Sequence, residues 1–223
     1  MRPVGVFGGT FDPVHYGHLR TAFELLRAVD LGEVRFIPTG LPPHREAPVA
    51  SAANRLDMVT RAIDDQPGFV VDDREIGRQT TCYTADTLDE LRAESPARPL
   101  CLILGMDAFL GLPSWHRWEQ IPELAHIVVA HRPGWTVPTE GLVGELTARR
   151  GTDSASDLHD SPAGRVYVHA VTQLEISSSG VREIVASGSD PLYLVPEVVR
   201  SIIARTGCYR GQGYTDGAVR HCD

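Results

Sequence analysis

Short apolar runs alternate along the chain with longer stretches in which apolar residues recur at every third or fourth position. The runs predict buried strands, and the periodic stretches predict helices laid over them. Residues 4–7 open as a strand, and residues 16–29 follow as a helix with Leu19, Ala22, Phe23, Leu26 and Val29 on one stripe. A second strand at 33–38, with Val34, Phe36 and Ile37 apolar, completes a strand-helix-strand unit, whose two strands should be parallel. Further strands are expected at 69–71, 100–104, 127–130 and 166–168. Ser51 should cap a helix through Asp64 with Leu56, Val59 and Ile63 inward, and Thr84 with Asp86 should cap one over 85–93 that buries Leu88 and Leu91. A short helix begins within 176–182 and closes at Gly188. The last is bracketed by Pro196 at its first position and Gly207 past its end, with Val199, Ile202 and Ile203 inward.

This alternation predicts an α/β class: a doubly wound parallel sheet in one domain over residues 1–211, ending in a short helical part. Residues 212–223 read as a mobile tail. The stretch 135–165, rich in Gly, Ser and alternating charge, is expected to be the least ordered interior part, a loop carrying one helix at 142–149. Residues 38–45 hold too many prolines for a helix or strand interior and should form a loop at the carboxyl edge of the sheet, where open α/β folds bind ligands.

Behind the first strand, residues 8–19 read Gly-Gly-Thr-Phe-Asp-Pro-Val-His-Tyr-Gly-His-Leu. Gly8 and Gly9 let the backbone turn and aim amides at an anion, and the following helix points its unpaired N-terminal amides at the same place. Asp12-Pro13 reads as a helix-entry signal. His15 and His18, three positions apart, share one helical face and can reach one group. Each feature alone is commonly structural; their coincidence within a dozen residues favours a phosphate site. Neither Gly-x-Gly-x-x-Gly nor a Walker loop occurs in the chain.

Composition removes other chemistries. All 21 basic residues are arginine, so no Schiff base, lysine general base or Walker lysine is available. A net charge of −8 and a pI near 5.6 argue against a general nucleic-acid surface, so a polyanionic ligand must enter a locally positive hole. No apolar run is long enough to span a membrane and no secretory leader precedes the first strand, so a cytoplasmic protein without membrane partners is expected. Cys82, Cys101, Cys208 and Cys222 are scattered and are expected to be reduced; His15 and His18 lack sequence neighbours that would complete a zinc set, and no protein metal ligand is assigned.

A second anion seat is suggested by Ile176-Ser-Ser-Ser-Gly-Val-Arg182, where hydroxyl, amide and guanidinium donors converge at a helix start. Taken alone, that segment is better explained by capping through Ser177 or Ser178 beside a surface arginine; its pairing with the glycine-histidine stretch favours the anion seat. Gly105 and Asp107 follow the apolar strand 100–104, where a carboxylate can accept from ribose hydroxyls or simply cap a helix. The carboxyl edge should gather 8–18, 42–45, 105–107 and Arg132. Two holds on one triphosphate suit phosphoryl or nucleotidyl transfer.

The segments 8–18 and 176–182 resemble the two signatures of the nucleotidyltransferase superfamily marked by a His-x-Gly-His motif. Pro42-Pro43-His44-Arg45, Tyr83-Thr84-Ala85-Asp86-Thr87-Leu88, Gly105-Met106-Asp107 and Pro113-Ser114-Trp115 extend the resemblance to the bacterial nicotinate-nucleotide adenylyltransferases, over nearly the whole chain to about Tyr209. The resemblance implies transfer of an adenylyl group from ATP to nicotinate mononucleotide, giving deamido-NAD and pyrophosphate, with Mg2+ on the phosphates. It implies catalytic roles for His15, His18 and Arg182. It places ATP on Gly8, Gly9, Thr10 and Phe11, on Gly105 and Asp107 through the ribose, and on Arg132, Ile176, Ser177 and Ser178. The mononucleotide falls to His44, Arg45, Tyr83, Thr84 and Trp115, with Trp115 stacked on the pyridine ring and Tyr83 and Thr84 facing its carboxylate. Arg45 stands where lysine is frequent in the family, exchanging a point charge for a fork. Nearest rivals are a phosphopantetheine or nicotinamide-mononucleotide adenylyltransferase, a nucleotide-binding regulator without turnover, and a tRNA-synthetase fragment. Self-association is left open.

Overall fold

The computed structural model describes residues 1–42, 47–131, 138–172 and 174–210. In chain order it contains β1 (Val4–Gly9), α1 (Tyr16–Ala28), β2 (Glu33–Pro38), α2 (Ala52–Ile63), β3 (Phe69–Val71), α3 (Thr84–Glu94), β4 (Leu100–Gly105), α4 (Met106–Leu110), α5 (Ile121–Leu124) and β5 (His126–His131). These are followed by α6 (Gly141–Arg150), β6 (Gly151–Thr152), β7 (Val166–Ala170), α7 (Ser178–Ala186) and α8 (Glu197–Thr206).

The strands form one sheet in the order β3-β2-β1-β4-β5-β7-β6, with every pairing parallel. Side-chain alternation along the strands divides the core between the two faces. Val4 and Val6 of β1, Leu100, Leu102 and Leu104 of β4, and Ile127 and Val129 of β5 pack under α3, α5 and α6. Phe7, Cys101, Ile103, Val128 and Ala130 pack with the buried stripes of α1, α2, α7 and α8. Burial on both faces explains why the central strands read as continuous apolar runs.

The chain winds outward from β1 through β2 to β3 and then returns to lay β4 against the other side of β1. That reversal is the topological switch point, where the carboxyl ends of neighbouring strands separate. Register makes the separation explicit. β1 and β4 pair from Val4↔Leu100 to Val6↔Leu102, and the last residues of both strands, Phe7 to Gly9 and Ile103 to Gly105, run on without pairing to each other.

The predicted class and winding are therefore present, with local differences. The first strand continues through Gly8 and Gly9, which pair with Ile37 and Pro38, because a β ladder needs backbone groups and not side chains. The α1 stripe centres on Ala22, Leu25 and Val29, while Phe23 is half-buried under the Arg27 guanidinium. Within 135–165, residues 138–165 hold the expected helix, α6, and in place of plain loop also the short β6, which pairs with β7, and a 3-10 turn at Ala155–His159 that buries Leu158. Polar composition hid β6 and the 3-10 turn, the latter anchored by the single buried residue Leu158. Pro196 is the N-cap of α8, so the helix starts at Glu197, one position after the predicted start. The expected tail at 212–223 lies outside the described residues. No helix among the described residues is long and apolar enough to cross a membrane.

Candidate active site at the switch point

Thr10 to His15 leave β1 in a turn that tertiary contacts hold in place. Phe11 has a left-handed backbone, φ 49°, unusual for a bulky residue. Its ring is buried edge-on against Phe7 at 5.7 Å and His18 at 5.1 Å. Asp12 is buried too, and it lies three residues ahead of the α1 cap, His15, with its carboxylate turned to other partners. Its carboxylate accepts from Val49 N at 2.8 Å, Ala50 N at 3.0 Å and the Tyr209 hydroxyl at 2.8 Å. Burial first, then the Asp12 charge, raises the Tyr209 pKa, so the phenol stays a donor.

The cap of α1 is His15. Its backbone N–H donates to His18 Nδ1 at 3.3 Å, which puts the proton of a neutral His18 on Nε2. The two rings lie 3.7 Å apart, as their spacing predicted. Gly17 between them is required by close approach: a Cβ there would meet the His15 ring at 2.9 Å and the Ile176 carbonyl at 3.4 Å. Burial lowers the His15 pKa to about 4, and His18 is held well below its usual value by burial and then by His15. Both imidazoles are therefore neutral at physiological pH, and His15 Nδ1 is buried without a hydrogen-bond partner.

The α7 segment docks on the same turn. Ser178 Oγ donates to Pro13 O at 2.9 Å, Arg182 Nη1 to Asp12 O at 2.8 Å, and Arg182 Nη2 to Ser179 Oγ at 3.3 Å. Ser177 is the helix cap, its Oγ accepting from Gly180 N at 3.0 Å. Arg182 keeps further N–H donors, and its side chain is 29% exposed.

Beyond the turn, the gap between β1 and β4 opens into a cavity of about 300 Å³. Gly8, Gly9, Thr10 and Gly105 lie on its sheet side, with Tyr83, Thr84 and Trp115 across from them. Thr84 is the first residue of α3 behind Tyr83, and it makes no cap bond. Asp107 is exposed in the first turn of α4 and is not that helix's cap, which is Gly105. Phe11, His15, His18, Asp107, Ile176, Ser177, Ser178 and Arg182 do not line this cavity. His44, Arg45 and Arg132 lie outside the described residues.

Three residues that carry no sequence signal belong here. His116 is exposed and packs its ring on Tyr83 at 4.3 Å, at the cavity's edge. Glu75, in the irregular segment after β3, is buried against the cavity and accepts from Thr87 Oγ1 at 2.6 Å. Burial raises its pKa, against the pull of Thr87 and Arg78. Arg55 is fully buried on α2, beneath the Thr10 turn. No periodic or motif signal marks Glu75, Arg55 or His116; Thr87 sits inside a quoted motif, but its bond to Glu75 is long-range.

Among the described residues no group of three or more His, Cys, Asp or Glu is placed to hold a metal ion. Cys82, Cys101 and Cys208 are free thiols.

A sequence model of the cytidylyltransferase-like family matches residues 6–184. A curated protein of Aeromonas hydrophila named "Probable nicotinate-nucleotide adenylyltransferase" is 48% identical over 208 residues, 93% of this chain and 97% of that protein. One of the same name from Halorhodospira halophila is 46% identical over 94% of this chain and 96% of its own length. Among solved structures, the Plasmodium falciparum nicotinic acid mononucleotide adenylyltransferase complexed with NaAD superposes with a TM-score of 0.71 at 17% identity, over 94% of this chain and 98% of that one. At that identity the likeness speaks for the fold.

Proposed function

The chain belongs to the cytidylyltransferase-like family and, within it, to the nicotinate-nucleotide adenylyltransferases, and from that footing we propose that its switch-point crevice joins ATP to nicotinate mononucleotide, giving deamido-NAD and pyrophosphate. The observation that carries this reading is the meeting, at the parted ends of β1 and β4, of a fixed histidine-glycine turn with a recess edged by Tyr83, Thr84 and Trp115.

A phosphate oxygen of the mononucleotide attacks the α-phosphorus of ATP. The new P–O bond forms as the bond to the β-phosphate oxygen breaks, and its electron pair leaves on pyrophosphate. The attacking oxygen is already ionised at neutral pH, so the chain need supply no base. It must position the two phosphates and meet the charge that moves onto the leaving group. Gly8 to Phe11 offer backbone amides, the left-handed Phe11 re-aiming the chain there. The paired imidazoles, neutral when no phosphate is near, act as N–H donors, and growing negative charge beside them would raise their pKa and strengthen that donation. Arg182 adds fixed positive charge from α7, with Ser177, Ser178 and Ile176 beside it, and Asp107 with Gly105 takes the ribose. Arg132 completes the ATP side. Trp115 stacks on the pyridine ring. Tyr83 and Thr84 present the N-terminus of α3, an eleven-residue helix, to the ring carboxylate, where its dipole favours an acid over an amide. His44 and Arg45 hold the rest of the mononucleotide.

Mg2+ fits as a companion of the triphosphate, screening its charge where both imidazoles are neutral, since that mode asks few ligands of the protein. The substrates are intracellular nucleotides and the three described cysteines are free, which supports a cytoplasmic setting. The test is pyrophosphate release from ATP with nicotinate mononucleotide or its amide analogue as acceptor. Rates far higher with the acid are expected; equal rates would sink the carboxylate pocket.

A further inference from the structure

Arg55 is 1% exposed, one of the largest wholly buried side chains in the molecule, and nothing in the transfer chemistry above uses it. A buried guanidinium is costly unless its donors are taken up. Here two of them go to backbone carbonyls just past the ends of the neighbouring strands β1 and β2. Nη1 donates to Thr10 O at 2.7 Å, in the turn assigned to ATP, and Nη2 to Gly40 O at 3.4 Å, just past the end of β2. Nε is buried with no partner, and the Asp12 carboxylate supplies opposing charge.

Gly40 is the point at which the acceptor side is tied to that guanidinium. Its backbone runs so close to the loop after β3 that a Cβ would come 2.1 Å from Glu75 O. On either side of Gly40, Thr39 N donates to Gly9 O and Cys82 N to Leu41 O, both at 2.9 Å. Cys82 leads directly into Tyr83 and Thr84. A fork on Arg55 thus fixes Thr10 against Gly40, and through the loop behind Gly40 it sets where the wall of the acceptor recess stands.

We propose that Arg55 is a positioning residue that sets the spacing between the ATP turn and the acceptor recess by holding Thr10 O and Gly40 O on one guanidinium. It touches neither substrate. The inference rests on the adenylyl-transfer reading for its substrates, but its geometry does not.

Arg55→Lys separates this role from mere core filling. Lysine keeps the charge but not the fork, so it can hold the nearer carbonyl and release the farther one. The expected result is a KM for nicotinate mononucleotide raised about fivefold, with the KM for ATP within about twofold of wild type. Arg55→Met, which loses both bonds, should raise both KM values about tenfold or more. Hydrogen exchange supplies a readout that needs no substrate: the Thr39 and Cys82 amides should exchange about tenfold faster in Arg55→Lys, with those of β4 and β5 unchanged. Equal changes in the two KM values, or unchanged exchange at Thr39 and Cys82, would overturn the proposal. If Arg55→Met fails to fold, the lysine variant decides alone. A wild-type enzyme inert towards nicotinate mononucleotide would defeat the functional reading, and the exchange comparison would still decide the role of Arg55.

Discussion

On the side of the crevice built from β1, α1 and α7, the polar groups of the two sequence motifs are engaged with the chain itself. Ser178 and Arg182 hold Pro13 and Asp12, Asp12 holds Val49, Ala50 and Tyr209, and His18 receives the His15 amide. On the side of α3 and Trp115 the cavity is edged by the aromatic rings of Tyr83, Trp115 and His116, with Thr84 and Thr87 among them, and the buried Glu75 is satisfied by Thr87. The first side is a set of fixed donors that needs no rearrangement as charge develops, whereas the second is a shaped recess. Substitutions on the first should therefore act on turnover, and substitutions on the second on acceptor affinity.

The strongest attempt to break that division is His18→Ala, expected to lower kcat by roughly 100-fold or more while ATP affinity changes by less than about threefold. Single-turnover kinetics beside equilibrium ATP binding would check it, and an equal loss in both would place His18 among ground-state contacts. Next comes Trp115→Ala, expected to raise the KM for nicotinate mononucleotide about tenfold with little effect on that for ATP. A matching rise in both would mean that Trp115 serves the fold of the wall and not the ring. In Tyr209→Phe a buried carboxylate loses one donor but keeps its two amides, so a loss of about 1–2 kcal/mol in denaturant unfolding is expected. An unchanged midpoint would show that the Asp12 knot stands without the C-terminal contact.

The pH dependence sharpens the same contrast. The folded His15 pKa of about 4 lies below the unfolded value near 6.5. Between those values the unfolded chain binds a proton that the folded chain does not, so stability held above about pH 6.5 is lost as pH falls towards 4. A Tm series across that window should fall with pH, and less steeply in His15→Gln, with His18 and His126, also lowered by burial, retaining their share. The smallest effect belongs to Ser177→Ala, about 1 kcal/mol for a lost cap and a kcat lowered by less than about threefold. A kcat loss of about tenfold or more would show that Ser177 touches the phosphates directly and does more than cap the helix.

The alternating runs made the sheet and most helices legible because burial on both faces forces continuous apolar strands, and β1, β4 and β5 are of that kind. β6 is two residues long and carries no pattern, so only its pairing to β7 identifies it. Ser51 was legible as a cap and accepts from Asn54 N. Thr84 has the residue type of a cap but is the first helical residue, because Tyr83 occupies the cap position with its ring turned against His116. Asp12 shows the limit most clearly: its neighbours suggested a helix entry, while its actual partners lie 37, 38 and 197 residues away.

By itself the sequence determined the period of each element, the single-file order of a wound sheet, the pairing of two imidazoles on one turn and the restriction to arginine, histidine and amides for holding phosphate. These are local properties, set by spacing within a few residues. Tertiary structure alone decided that β1 and β4 part at their ends, that burial keeps both imidazoles neutral, and that Arg55, Asp12 and Glu75 are spent on backbone and side chains far along the chain. Burial and long-range hydrogen bonds depend on which surfaces meet, and a linear pattern carries no record of that.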